Sequence, residues 1–404
     1  MRVVFLAPLY PPEMQQYTRG LAEVGAEVYG VADTPREAVP PSLRPYLRDY
    51  LQVPRIMDED DVIARVSRWL RGKSIDRVVT NWEPLVVTAA RLRERWGMPG
   101  MSVDTARGFR DKQLMKDALR AAGLPVARHK LATNEADARA FAADVGFPIV
   151  LKPPAGMGAK ATFRVGSNEE LSAALAGLRV SAEQPVLAEE FLRGREFSFE
   201  TITLGGKPRV YSLSHYLPSC LEVLENPWIQ WSCLLPRDIE GPEYDGARTL
   251  GFAAVEALGL DDGFTHMEWF QRGDGTLAIG EIAQRPPGAN ISRMTGLAHD
   301  IDPYRGWARA VVDGELDAPW HRKYAVGCAF LRGMGRGRVV GVSGVRETHA
   351  AVGRLVVEAD LPKEGAPKSD GYEGDGYVIV RDPSTDVVKR ALKTIVETIK
   401  VHYI

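Results

Sequence analysis

Met267-Glu268-Trp269-Phe270-Gln271-Arg272-Gly273-Asp274-Gly275-Thr276-Leu277-Ala278-Ile279-Gly280-Glu281-Ile282-Ala283-Gln284-Arg285 is the stretch on which the reading of this chain turns. Asp-Gly flanked by alternating apolar residues is a hairpin signal. With Asp274 and Gly275 as a two-residue turn, Gly273 pairs with Thr276, Arg272 with Leu277, Phe270 with Ile279, and Glu268 with Glu281. The two carboxylates then face each other across a strand pair, on the face that carries Phe270 and Ile279. Like charges so placed repel, so a cation is expected between them. A hard divalent ion fits, because Mg²⁺ is held by one or two carboxylates plus substrate phosphates. Arg285 lies two strand repeats beyond Glu281 and offers a guanidinium to an anion. The plainer alternative, two solvated surface acids, conflicts with their sharing a face with apolar residues.

The rest of the chain sets the frame. Its 404 residues are 45% hydrophobic and 26% charged, with a formal charge of -2. That length implies two to three domains. The charge argues against a nucleic-acid scaffold or a basic membrane binder. No apolar run approaches the roughly 18–20 residues that span a bilayer. Residues 1–8 read as a first strand, not a signal peptide. Cys220, Cys233 and Cys328 are few, odd in number and lack metal-ligand spacing, which fits a cytoplasmic protein with structural thiols.

Residues 1 to 105 alternate strand and helix signals, a βαβ series on a parallel sheet. Pro8, Pro11 and Pro12 stand where a dinucleotide fold needs its glycine fingerprint. From 106 to 315 a second domain follows, with a smaller unit at about 125 to 190. Its first helix, from Asp111, is predicted to bury Leu114, Ala118, Leu119 and Ala122. A polar loop is expected from His215 to about Pro236. Residues 316 to 404 read as a third, α+β unit, with Ser384 capping a last helix. The run Gly333 to Gly337 reads as a turn.

Several residues can carry chemistry. Lys152 ends a buried-looking strand and leads into a loop with Gly156 and Gly158, where backbone N–H groups can approach phosphate oxygens. Lys112 opens a helix, where a cation opposes the dipole; on that helix alone it reads as a solvated neighbour of Asp111. Glu189, Phe191 and Leu192 lie at a strand end followed by apolar side chains, which can supply the edge and faces of a purine site. Glu196 can accept from ribose hydroxyls, and counting across Gly205-Gly206 sets it opposite His215. His215 itself reads either as an ordinary core or surface histidine or as a substrate contact.

In this order and spacing the motifs resemble the ATP-grasp superfamily, over residues 100 to 310 most strongly. The flanking regions resemble biotin-carboxylase-like and amino-acid-ligase-like members, related also to carbamoyl-phosphate synthase. The resemblance implies an ATP-grasp fold behind an N-terminal pre-ATP-grasp domain. It makes Lys112 and Lys152 phosphate-binding lysines, the loop of Gly156 and Gly158 a phosphate lid, Glu189-Glu190-Phe191-Leu192 the adenine hinge and Glu196 the ribose acid. Glu268 and Glu281 become the Mg²⁺ ligands, with Mn²⁺ as an alternative ion, and Arg285 the arginine that steadies the transferred phosphoryl group. Where many members carry Asn, this chain has Ala283, which removes one oxygen donor. The sequence Pro286-Pro287-Gly288-Ala289-Asn290 after Arg285 departs from the biotin-carboxylase pattern and weighs against bicarbonate as substrate.

The expected activity is a carboxylate–amine ligase acting on amino acids through an acyl-phosphate, with His215, Arg285, Gly288 and Asn290 orienting substrate. Carboxylation, carbamoyl-phosphate formation and nucleotide binding without catalysis remain as alternatives. No nucleic acid or membrane partner is expected. A homodimer is expected by analogy with related ligases.

Overall fold

The computed structural model of the chain describes residues 1–156, 161–316 and 320–404. The first unit runs β1 (Arg2–Leu6), α1 (Met14–Glu23), β2 (Glu27–Ala32), β3 (Asp49–Gln52), α2 (Glu59–Trp69), β4 (Arg77–Val79) and α3 (Val86–Arg95). Its strands form a parallel sheet in the order β3-β2-β1-β4. Helices α4 (Val103–Arg110) and α5 (Lys112–Ala121) lead to the second unit.

A smaller layer follows: β5 (His129–Ala132), α6 (Glu135–Val145), β6 (Ile149–Lys152), β7 (Phe163–Val165), α7 (Asn168–Leu178) and β8 (Val186–Glu190), with sheet order β5-β8-β6-β7. Its core joins Ile149, Leu151, Val186 and Ala188 to Phe141 and Leu171 of the two helices. Strand alternation therefore turns Val150, Lys152 and Glu189 to the opposite face, where a cleft opens.

The remaining elements are β9 (Arg195–Leu204), β10 (Lys207–Leu217), α8 (Cys220–Glu225), β11 (Ser232–Leu235), α9 (Asp245–Ala257), β12 (Gly263–Gln271), β13 (Leu277–Ala283), α10 (Ile291–His299), α11 (Pro303–Asp313), β14 (Ala325–Leu331), β15 (Val339–Ser343), α12 (Val345–Val352), β16 (Val356–Asp360), β17 (Gly376–Asp382), α13 (Thr385–Thr398) and β18 (Lys400–Tyr403). Eight of these strands make one sheet, ordered β13-β12-β9-β10-β11-β14-β17-β16.

Residues after 316 thus divide between the central sheet and a separate two-stranded one. Strands β14, β17 and β16 extend the central one, and β15 pairs with β18. The cause is burial: every residue of β14 is buried, so its backbone needs a neighbour on both edges, and β11 and β17 supply them. β11 lies inside the stretch expected to be loop; four buried residues are too short to show a period. Ser384 caps α13 as expected, accepting from Val387 N.

Two local corrections matter for the site. Helix α5 buries Lys112, Met115, Lys116 and Leu119, whereas Leu114 is 48% exposed. The buried stripe is rotated from the apolar one because it delivers two lysines, four residues apart, to one face. The hairpin also closes differently. Arg272 N donates to Thr276 O and Gly275 N to Arg272 O, giving a three-residue loop with Gly275 at φ +85. Trp269 then pairs with Ile279, and a bulge at Gly280 restores Glu268 opposite Glu281. The longer loop puts Ile279 across from Trp269, off the face of Phe270, the bulge parts it from the face of Glu281, and it packs in the core with Trp269 and Ile282.

Candidate active site

The cleft lies between the small layer and the β12–β13 hairpin and encloses about 590 Å³. Lys112, Lys152, Gly156, Glu189, Phe191, Leu192, Glu196, Glu268, Glu281 and Arg285 all line it. Ten positions chosen from sequence therefore converge on one space, although they span more than 170 residues of chain. Gly158 lies outside the described residues.

The charged groups interlock. Lys112 is the first residue of α5, behind the cap Asp111, which accepts from Gln113 N and Leu114 N. Its Nζ lies 2.9 Å from Glu281 Oε1 and donates to Gly156 O at 2.8 Å. Lys112 is 6% exposed, so it is not the solvated cation its helix alone suggests. Lys152 Nζ stands 2.9 Å from Glu189 Oε2 and 3.8 Å from Glu281 Oε2. Lys116 Nζ lies 3.4 Å from Glu189 Oε1 and donates to the carbonyl of the bulged Gly280 at 2.5 Å. Burial alone would raise the Glu281 carboxyl, but Lys112, Lys152 and Arg285 outweigh it and hold it at about 2. For Lys116 burial wins and the ammonium is pushed down; for Lys152 the neighbours Glu189 and Glu281 win and it is pushed up.

The cations expected beside the facing carboxylates are thus supplied in part by the chain itself. Lys112 and Lys152 serve Glu281, while Glu268 Oε1 lies 3.7 Å from His266 Nε2, whose Nδ1 contacts Glu200 at 2.9 Å. His266 pairs across the strands with Ala283, the position where an oxygen donor is missing. Divalent metal still fits the donor set. Glu268 and Glu281 are adjacent carboxylates in a cleft rimmed by lysines. Among the described residues no cluster of three or more His, Cys, Asp or Glu forms a ready cage. That suits an ion carried mainly on phosphate oxygens rather than one caged by protein.

Strand β9 supplies the next row. Glu196 pairs with Phe270, Ser198 with Glu268 and Glu200 with His266. Glu196 accepts from Cys220 N at 3.1 Å. Burial, with the charge of Glu268 adding to it, raises its carboxyl to about 8. A raised acid contributes stability that is complete below the unfolded value and lost as pH rises through the folded one. The ligand-free protein is therefore expected to lose stability between about pH 5 and pH 9, and Glu196→Gln to flatten that slope; a denaturation midpoint followed against pH reads it.

At the far end Leu192 and Phe270, backed by the buried Ala127 and Ala278, give the cleft an apolar wall suited to an aromatic ring. Arg164 lies over the Phe191 ring at 4.6 Å. The Glu190 carboxylate is held by Arg128 and Arg272, at 2.9 and 2.7 Å.

Arg285 brings in the first unit. Its Nε lies 3.2 Å from Glu83 Oε2, and Glu83 Oε1 lies 3.1 Å from Arg110 Nη1. Glu83 follows β4 and is 2% exposed. Sequence reading missed it, together with Lys116, His266 and Tyr372, which also stands on the cleft wall. A signal for Glu83 was available: it sits just past the carboxyl end of a parallel strand, where open α/β sheets place ligands.

Three expected substrate residues do not reach this cleft. His215 pairs with Phe197, not Glu196, because a bulge between Pro208 and Val210 shifts the register by one. It therefore faces the opposite side of the sheet, against Phe197 and Tyr244, and bonds to Tyr244 Oη at 3.0 Å. Burial pushes its imidazole down to about 4, so it stays neutral. Gly288 is exposed in the turn before α10, where its carbonyl accepts from Ile291 N. Asn290 Nδ2 lies 3.9 Å from Cys328 Sγ, against the central sheet. Pro286 and Pro287 carry the chain away from the hairpin before either residue could turn back.

The chain is similar to several known proteins. Residues 110–215 match the family model of the phosphoribosylglycinamide synthetase ATP-grasp (A) domain. The L-arginine-specific L-amino acid ligase of Bacillus subtilis is 31% identical over 230 residues, 56% of this chain and 55% of that protein. The alanine–anticapsin ligase of Bacillus subtilis is 32% identical over 149 residues, 34% of this chain and 31% of the relative. The chain thus spans about half the length of the first of these relatives and about a third of the second. The crystal structure of an L-amino acid ligase from Bacillus licheniformis superimposes with a TM-score of 0.78 at 18% identity, covering 100% of this chain and 98% of that one. No described helix is long and apolar enough to cross a membrane.

Proposed function

We propose that this chain, whose fold is ATP-grasp, is an ATP-dependent carboxylate–amine ligase that joins amino acids through an acyl-phosphate and releases ADP and phosphate. The observation that carries the reading is the convergence of Lys112, Lys152 and Arg285 on the Glu268–Glu281 pair, at the mouth of a cleft whose far end is apolar. The relatives named as amino acid ligases support the choice of substrates.

Lys112 and Lys152 are placed to hold the nucleotide's phosphates, and Glu196 to accept from its ribose. Leu192 and Phe270 form the face for its base. Mg²⁺ or Mn²⁺ on Glu268 and Glu281 would neutralise charge on the β- and γ-phosphates. Arg285 orients the substrate carboxylate, whose oxygen attacks the γ-phosphorus as the bond to ADP breaks. An amine nitrogen then attacks the acyl carbon, phosphate leaves and the nitrogen loses its proton. Most of the rate gain comes from positioning and charge stabilisation, and the walls must exclude water from the acyl-phosphate.

Glu83 is a positioning residue in this reading, holding Arg285 and Arg110 in one place. Glu83→Ala is expected to lower kcat about 10–100-fold, with the KM for ATP within about two-fold of the original; steady-state kinetics with ATP and amino acid varied separately measure the split. The activity itself is tested with a panel of amino acids, ATP and Mg²⁺, scored for nucleotide product. One ADP per amide is expected. AMP with pyrophosphate, or ADP released with bicarbonate and no amine, overturns the reading.

A further inference from the structure

A second cavity, of about 370 Å³, lies where the first unit meets β9, β12 and α11. Val86, Met101, Ile202 and Trp307 give it apolar walls, and Arg77, Arg93 and Arg209 also line it. Arg93 is 8% exposed. It donates from Nη1 to Val78 O at 3.0 Å and from Nε and Nη2 to Met101 O at 3.3 and 2.9 Å. Carbonyl oxygens orient a guanidinium without cancelling its charge, and these bonds use three of its five N–H groups. Among the described residues no carboxylate lies within ion-pair distance of Arg77, Arg93 or Arg209. Asp262, on the same wall, is engaged by Gly205 N at 2.8 Å. Asn81, 4% exposed and also on the wall, carries an Nδ2 with no hydrogen-bond partner.

A structural role explains the three bonds of Arg93, which tie Met101 to β4. It explains neither the void nor the gathering of three unpaired guanidinium groups around it, nor the unused amide of Asn81. Burying a charge without a counter-charge is costly, and buried polar atoms are normally satisfied. One kind of occupant answers all three observations at once.

We propose that this cavity binds a small organic anion: an apolar body of up to about a dozen non-hydrogen atoms bearing one carboxylate or phosphate, its head taken by Arg93 and Asn81. Arg209 is exposed and Arg77 half-buried, so both can draw the anion in from solvent. The site is separate from the nucleotide cleft but adjoins its supports. Asn81 stands two residues before Glu83, and Gln284, next to Arg285, is on the cavity wall.

The test is calorimetric titration of the full chain with hexanoate, hexyl phosphate and hexanol, with the cleft saturated by a non-hydrolysable ATP analogue and Mg²⁺. At least one of the two anions is expected to bind once per chain, about ten-fold or more tighter than hexanol. The tighter anion identifies the head group. Arg77→Ala with Arg209→Ala is expected to weaken it about five-fold or more while the affinity for the ATP analogue is unchanged. Ala310→Leu, which fills part of the cavity from α11, is expected to weaken it too. Equal affinity for hexanol and both anions, no heat with any probe, or unchanged anion affinity in the double variant overturns the proposal.

Discussion

Glu281→Gln is expected to lower kcat roughly a thousand-fold, the scale of removing a charge-stabilising group from a site of this kind, and to leave the fold intact. Gln keeps the volume and still offers Lys112 an acceptor, so the hairpin, its bulge and the packing of α5 need not move. What disappears is one of the two negative charges available to a divalent ion. ADP release under saturating ATP, amino acids and Mg²⁺ measures the effect; unchanged turnover removes Glu281 from the mechanism. The same variant reports on the unliganded protein. A carboxyl held at about 2 contributes stability that is present above its unfolded value and lost as pH falls through the folded one. Wild type is therefore expected to lose stability between about pH 4.5 and pH 2, and the Gln variant to lose less over that window.

Glu189→Ala is expected to be the most destabilising of these substitutions, by about 3–5 kcal/mol. Glu189 is 5% exposed and stands between two lysines, Lys116 and Lys152, of which the first is wholly buried. Deleting it strips Lys116 of its ion-pair partner and leaves Lys152 only Glu281, at 3.8 Å, while burial already pushes Lys116 towards its neutral form. The loss is read as a shift in the chemical-denaturation midpoint. Adding Lys116→Met should recover a large part of it, because the double change removes the stranded charge with its partner. A variant that keeps its midpoint shows that the lysines are solvated, not paired. Nucleotide should stabilise Glu189→Ala more than it stabilises wild type, since phosphate oxygens can stand in for the missing carboxylate near Lys152.

The pairing of Glu268 with Glu281 was legible in the sequence, but two offsets had to cancel for it to hold. The loop is one residue longer than Asp-Gly suggests, and the bulge at Gly280 takes up one residue on the opposite strand. Ile279 lies between the two offsets and was placed on the wrong face. A single offset misled the reading of His215: the bulge near Arg209 has no second irregularity to compensate it before Phe197. Long-range partners were the hardest to see. Glu83 and Arg285 are 202 residues apart, and nothing in local periodicity links them. Lys116 was within reach, because Lys112 and Lys116 are one helical turn apart and must share a face. Strand β11 and the joining of β14 to the central sheet were hidden for a different reason: fully buried strands carry no alternation.

Under the proposed function, the pairing of Lys112 and Lys152 with Glu281 makes nucleotide entry an exchange of counter-ions. An arriving triphosphate does not meet two idle cations; it competes with a carboxylate that already holds them, and that carboxylate is set free as the phosphates take its place. Affinity for metal-free ATP is then a difference between two attractions, smaller than either. The donor on which a divalent ion depends becomes fully available only once the phosphates have arrived, so metal and nucleotide should load cooperatively.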